Sequence, residues 1–112
     1  MKKIEMYKDR IRYEFDYADV VYIRAKLGDT QYLVNDEFYR NDLSLNKLEK
    51  ILEGRCFFRI SRDYIVNLSK IRYTKGDTRV FIGGNAINIS RRRKKAFEMA
   101  YEEYMQLVKK FE

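Results

Sequence analysis

Between Arg55 and Lys95 the chain carries twelve Lys or Arg against two acids, Asp63 and Asp77, a net charge of +10. Residues 1–54 carry −1 and residues 96–112 carry −2, so the whole excess of this +7 chain lies in one block. Charge gathered in this way suits a polyanionic partner. Five of the cations are consecutive, Arg91-Arg92-Arg93-Lys94-Lys95, directly after Ser90, which reads as the cap of a C-terminal helix. A helix start exposes N–H groups and a partial positive charge, so cations are disfavoured there by ~0.3–1 kcal/mol each. A phosphate would reverse that balance, meeting free N–H donors, the dipole and side-chain charge together. At about 100° per residue, Arg92, Arg93, Lys94 and Lys95 fan around the axis. Some of them can reach phosphates, and at least one is expected to stay idle or to pair with an acid such as Glu98 or Glu102.

Arg62 is the second point of chemical interest. It sits in Ser61-Arg62-Asp63, polar residues between the strand-like Phe57–Ile60 and the apolar Tyr64–Leu68. The planar fork of Arg can make two bonds to guanine. The plainer alternative is a local contact with Asp63 or with backbone. Arg59 alternates with Phe58 and Ile60 and is either the solvent side of a strand or a phosphate contact.

Other chemistry has little to be built from. There is no histidine and one cysteine, Cys56, so a zinc site lacks ligands and an internal disulfide is impossible. Gly83-Gly84-Asn85 leads into a strand-like run and reads as a hairpin turn rather than a phosphate loop. No nucleophile with a base, acid–base pair or metal cluster can be assembled. An enzyme, a cofactor, a metal and a small-molecule ligand are therefore not expected. Cys56, in Cys56-Phe57-Phe58, reads as a buried strand thiol. No apolar run approaches the ~18 residues of a membrane span and no signal-peptide pattern opens the chain, so a cytoplasmic location is the expectation.

The elements that must position these groups are short. At 112 residues the length is that of one domain, 1–112, and 46 % hydrophobic residues supply a core. Strand character appears at Lys3–Lys8, Ile11–Phe15, Val20–Ile23, Thr30–Val34, Glu37–Arg40, Phe57–Ile60, Ile71–Tyr73, Thr78–Ile82 and Ala86–Ile89, with turns at Gly28-Asp29, Asn35-Asp36, Gly76-Asp77 and Gly84-Asn85. Leu45, Leu48, Ile51 and Leu52 have helical spacing behind Ser44 as cap, giving a short helix over 45–52 that stops at Gly54. Phe97, Ala100, Tyr101, Tyr104, Leu107, Val108 and Phe111 form one apolar stripe, read as the core face of a helix over 91–111. The fold class is mainly β with two helices.

The run Phe57-Phe58-Arg59-Ile60-Ser61-Arg62-Asp63-Tyr64-Ile65-Val66-Asn67-Leu68, then Ile71, then Ile89-Ser90-Arg91-Arg92, resembles the LytTR DNA-binding domain. Asp19-Val20-Val21-Tyr22-Ile23 is similar to that family's acidic–apolar strand, and Leu45-x-x-Leu48-Glu49-x-x-Leu52 to its short helix. The likeness spans roughly residues 10–100, with 101–112 as a helical extension. It implies an elongated antiparallel β fold and a role at the output end of a bacterial response regulator, here without a receiver domain: either a stand-alone regulator or a piece of a longer chain. It further implies loops that enter successive major grooves and the minor groove between them, at direct repeats near promoters, with a second copy on the adjacent repeat.

Carried over by position, the base readers would be Lys26 and Thr30 in the loop after Val20–Ile23, Arg62 and Asp63, and Arg91. Arg59, Ser61, Arg92, Arg93, Lys94 and Lys95 would meet phosphates. Tyr64, Val66 and Asn67 match positions read as structural. The chain departs from the family pattern at Ser61 (usually His), Asp63 (usually Ser) and Arg24-Ala25 (often Glu-Ala), and its Lys26–Thr30 loop is short. The expected partner is double-stranded DNA. The alternatives are an RNA-binding module, or a protein-interaction module using the tyrosines of the last helix. Most Tyr and Phe fall in core-like alternations, which argues against an aromatic platform for RNA.

Overall fold

Adjacent residues of the central strands go to opposite cores, and this sets the layering. In the computed structural model, which describes residues 3–111, Tyr22 and Ile23 point to different hydrophobic clusters, as do Leu33 and Val34, and Ile65 and Val66. Strands buried on both faces read as continuous apolar runs rather than alternating ones, which is the pattern of Val20–Ile23 and Tyr32–Val34.

Seven strands form the main sheet: β1 (Lys3–Lys8), β2 (Ile11–Asp16), β3 (Tyr22–Lys26), β4 (Asp29–Val34), β5 (Glu37–Asn41), β6 (Phe57–Ser61) and β7 (Tyr64–Asn67). Their order is β2-β1-β5-β4-β3-β7-β6, antiparallel throughout. A second, three-stranded sheet, β10-β9-β8, contains β8 (Ile71–Lys75), β9 (Arg79–Ile82) and β10 (Asn85–Asn88). Helix α1 (Leu45–Ile51) buries Leu45 and Leu48 on one face of the main sheet against Met6, Ile23, Tyr32 and Ile65. The small sheet and α2 (Lys94–Lys110) cover the other face, where Ile82, Ile87 and Phe97 meet Tyr22, Leu33 and Val66. The principal extents are 39 × 31 × 26 Å. The class is mainly antiparallel β with two helices, as the sequence predicts.

Four hairpins close on residue pairs with positive φ at both positions: Asp9-Arg10, Leu27-Gly28, Asn35-Asp36 and Gly83-Gly84. Such two-residue turns match the twist of the strands they join. Gly83 has a second reason to lack a side chain. A Cβ there would lie 2.6 Å from Leu33 Cδ2, so the small sheet could not settle on the large one. Asn67 ties two elements together: its amide donates to Val20 O at 2.8 Å, and its Oδ1 accepts from Ser69 N at 3.0 Å.

Four sequence expectations are corrected. Arg91–Arg93 form a 3-10 turn, and the last helix begins only at Lys94. Ser90 does not cap with its side chain; its carbonyl accepts from Arg93 N at 3.0 Å, and its Oγ is buried without a partner among the described residues. Cys56 is exposed at φ 65°, in the turn before β6, rather than buried in a strand. The apolar stripe of α2 is a core face for only half its length. Phe97 is buried and Tyr101 and Tyr104 pack partly on the core, but Leu107, Val108 and Phe111 are exposed because the helix runs past the sheets.

Candidate nucleic-acid interface

Hydrogen bonds gather the three predicted reading segments at one end of the main sheet. The β3–β4 hairpin is joined to the β6–β7 turn by Ala25 N donating to Asp63 O at 2.9 Å. The segment after β10 is joined to the end of β6 by Ser90 N donating to Ile60 O at 2.8 Å. A groove between the hairpin, α1 and the β6–β7 turn is lined by Lys26, Asp29, Arg59, Arg62 and Asp63 among others. Segments separated by dozens of residues in sequence are thus one continuous surface.

The cations on this surface divide into two kinds. Arg62 stands out, its side chain 89 % exposed, with Asp63 Oδ1 3.4 Å from its Nε as its one ion-pair partner among the described residues. Arg91, Arg92 and Lys95 are exposed and Lys94 is half-buried. None of these four forms an ion pair among the described residues. Arg59 and Arg93 are turned inward. The Arg59 side chain is only 9 % exposed; its guanidinium donates to Ser61 O at 3.1 Å, Arg62 O at 2.5 Å and Asn46 Oδ1 at 2.5 Å, and pairs with Glu49 at 3.2 Å. Arg93 donates to Arg59 O at 3.3 Å and lies 3.9 Å from Glu49. Arg59, expected at a phosphate, therefore has its donors committed inside the protein. Arg93 is the member of the basic run that finds an acid, and the acid is Glu49 rather than Glu98 or Glu102.

The first loop is smaller than its sequence suggests. Strand β3 continues to Lys26 and β4 begins at Asp29, leaving Leu27-Gly28 alone at the tip. Lys26 is exposed there, and Leu27 is the most exposed large apolar residue described, at 91 %. Thr30 lines the floor of the same groove but is itself almost fully covered. It sits in an interior strand, paired across to Ala25 and Asn41, and its hydroxyl proton is committed to Leu43 O. Ser61 is half-buried at the end of β6, and Asp63 keeps about half its side chain exposed.

The contrast with the opposite end of the chain is electrostatic. Around β1 and β2 the charges cancel locally: Arg12 pairs with Glu5 at 2.5 Å and Glu14 at 3.3 Å, and Lys8 pairs with Glu37. Arg12 holds the Glu5 carboxyl below its usual range. Three more cations of the basic block lie on the small sheet, where Arg72, Lys75 and Arg79 are exposed near a stacked Tyr73–Phe81 pair with centroids 4.3 Å apart.

The family described as the LytTr DNA-binding domain matches residues 11–102 of this sequence. The chain belongs to the LytTR family. A solved LytTr DNA-binding domain from Bacillus cereus has the same fold: TM-score 0.82 at 20 % identity, covering 89 % of this chain and 96 % of that one. No curated protein matches the sequence. The family is one of DNA-binding domains, so the partner class is DNA. Among the described residues of this LytTR domain, no group of three His, Cys, Asp or Glu stands together as a metal site, and no helix is long and apolar enough to cross a membrane.

Sequence reasoning missed Glu49 as a partner of the basic block. A weak signal was present: Glu49 follows Leu48 on the helix just before β6, one of few acids near Arg59 in sequence. Nothing in the sequence says that Arg59 curls back toward that helix.

Proposed function

We propose that this LytTR domain is a sequence-specific regulator of transcription that reads double-stranded DNA with loops, at direct repeats near promoters, one copy per repeat. The observation that carries the reading is the joining of the β3–β4 hairpin, the Ser61–Asp63 turn and the Ser90–Arg92 segment at one end of the sheet, with Arg62 projecting freely from it. Arg62 and Arg91 are the base-reading residues, helped by Lys26 and by Asp63, whose carboxylate can accept from a cytosine amino group. Arg92, Lys94 and Lys95 neutralise phosphates, and Ser61 adds a hydroxyl at the edge of the turn.

Binding driven in this way releases counterions. With five or so phosphates neutralised, log K against log[salt] should fall with a slope of roughly −4 to −5. Selection of bound duplexes from a random pool tests the proposal. A repeated motif with fixed spacing is expected. A pool that returns no motif, or a salt slope near zero, refutes it.

A second reading, RNA binding, has one observation in its favour. The Tyr73–Phe81 stack is exposed enough, Tyr73 at 55 %, to receive an unpaired base between Arg72, Lys75 and Arg79. Competition between single-stranded RNA and the selected duplex separates the two. RNA displacing the duplex at equal concentration would favour the second.

A further inference from the structure

Two cations of a DNA-facing surface are spent on one acid. Glu49 Oε1 lies 3.2 Å from Arg59 Nη1, and Glu49 Oε2 lies 3.9 Å from Arg93 Nη1. Asn46, one helical turn before Glu49 on α1, accepts from the same Arg59 nitrogen. Arg59 then carries the backbone of the reading turn, through the carbonyls of Ser61 and Arg62, and Arg93 is tied to the Arg59 carbonyl. A single hydrogen-bonded cluster therefore connects α1, the Arg62 turn and the turn that bears Arg91. Withdrawing a guanidinium from water is costly unless its donors are satisfied, and here four acceptors surround Arg59. A carboxylate next to a polyanion is unfavourable for binding as such, so its presence needs another explanation.

We propose that Glu49 is a positioning residue for sequence recognition: through Arg59 and Arg93 it fixes the spacing between Arg62 and Arg91. This rests on the reading of those two arginines as base readers. Removing an acid raises affinity for any polyanion by simple Coulombic logic. Loss of positioning lowers affinity only for the matched site. The two effects have opposite signs and can be read separately.

The experiment compares Glu49→Ala and Glu49→Gln with the unaltered chain on a selected duplex and on a scrambled duplex at one salt concentration. Both variants lose the same charge, but Gln retains an acceptor oxygen in nearly the same place. Scrambled-site affinity should rise equally in the two. The ratio of matched to scrambled affinity should fall about tenfold in Glu49→Ala, with partial recovery in Glu49→Gln. A ratio that is unchanged in Glu49→Ala, or equal in the two variants, overturns the proposal. Amide hydrogen exchange at Ser61, Arg62, Asp63 and Tyr64 without DNA supplies a readout independent of binding. Faster exchange at these positions in Glu49→Ala, with distant strands unchanged, is expected; unchanged exchange overturns positioning. If the unaltered chain shows no preference between duplexes, the DNA reading itself fails, while the exchange result still decides whether Glu49 holds the turn. Should Glu49→Ala fail to fold, Arg59→Lys serves in its place. It keeps the charge, loses the fork, and must show the same loss of ratio or the proposal falls.

Discussion

Replacing Arg62 by Ala separates recognition from folding. The side chain is 89 % exposed and has one weak ion pair, at 3.4 Å to Asp63. An exposed pair of that kind contributes ~0–1 kcal/mol, and surface changes away from special features stay within about ±0.5 kcal/mol. Melting should therefore move by no more than a few degrees. Binding should respond much more strongly. A two-bond contact to guanine is worth about 1–3 kcal/mol of discrimination, which is roughly 5- to 150-fold in the ratio of matched to scrambled affinity. The salt slope decides what the side chain touches. A phosphate contact would flatten it by about 0.9, whereas a base contact would leave it nearly unchanged. The assay is fluorescence anisotropy with a selected and a scrambled duplex at four salt concentrations, beside a thermal melt of the free protein. Equal losses on both duplexes with a flatter slope would show that Arg62 meets a phosphate. A large fall in melting temperature would show that the turn depends on it, and the separation of roles drawn here would be wrong.

Asn67→Ala should lower stability by about 1–3 kcal/mol, seen in the urea midpoint, because Val20 O and Ser69 N lose a buried partner. Leu27→Asn should raise stability by ~1 kcal/mol in the same measurement, since a left-handed φ of 53° strains Leu and suits Asn. Tyr32 is held protonated by burial, its phenol pushed well above the ordinary value. Above pH ~10 the unfolded chain releases a proton that the folded one keeps, so stability falls with rising pH by up to ~1.4 kcal/mol per unit. Tyr32→Phe should cost ~1 kcal/mol near pH 7 through the lost bond to Asn41, and should flatten the alkaline fall in urea midpoints.

The fold was legible where one residue type has one meaning. Gly28, Asn35-Asp36 and Gly84 mark turns, and Leu45, Leu48 and Leu52 mark a helix face, because glycine, Asn/Asp and helical spacing act locally. The Asp9-Arg10 turn was not legible, since Arg10 gives no sign of a positive φ and Asp9 alone does not mark a pair; the pairing of β1 with β2 imposes it. The stripe of α2 was overread because periodicity reports an apolar face and not how far the covering sheets extend. At the site, local charge identified the exposed Arg62 and the basic run. It did not show the partners of Arg59 and Thr30, since Glu49, Asn46 and Leu43 arrive from elsewhere in the fold. Alternation gave the side of the strand; only tertiary packing decides whether a long side chain on that side reaches water or bends back to a helix.

Backbone amide shifts during titration with a selected duplex test the central claim most directly. Perturbations are expected to cluster at 25–30, 60–63 and 90–95, leaving β1 and β2 unmoved. Perturbations concentrated on the small sheet or on the far half of α2, with residues 60–63 silent, would contradict it.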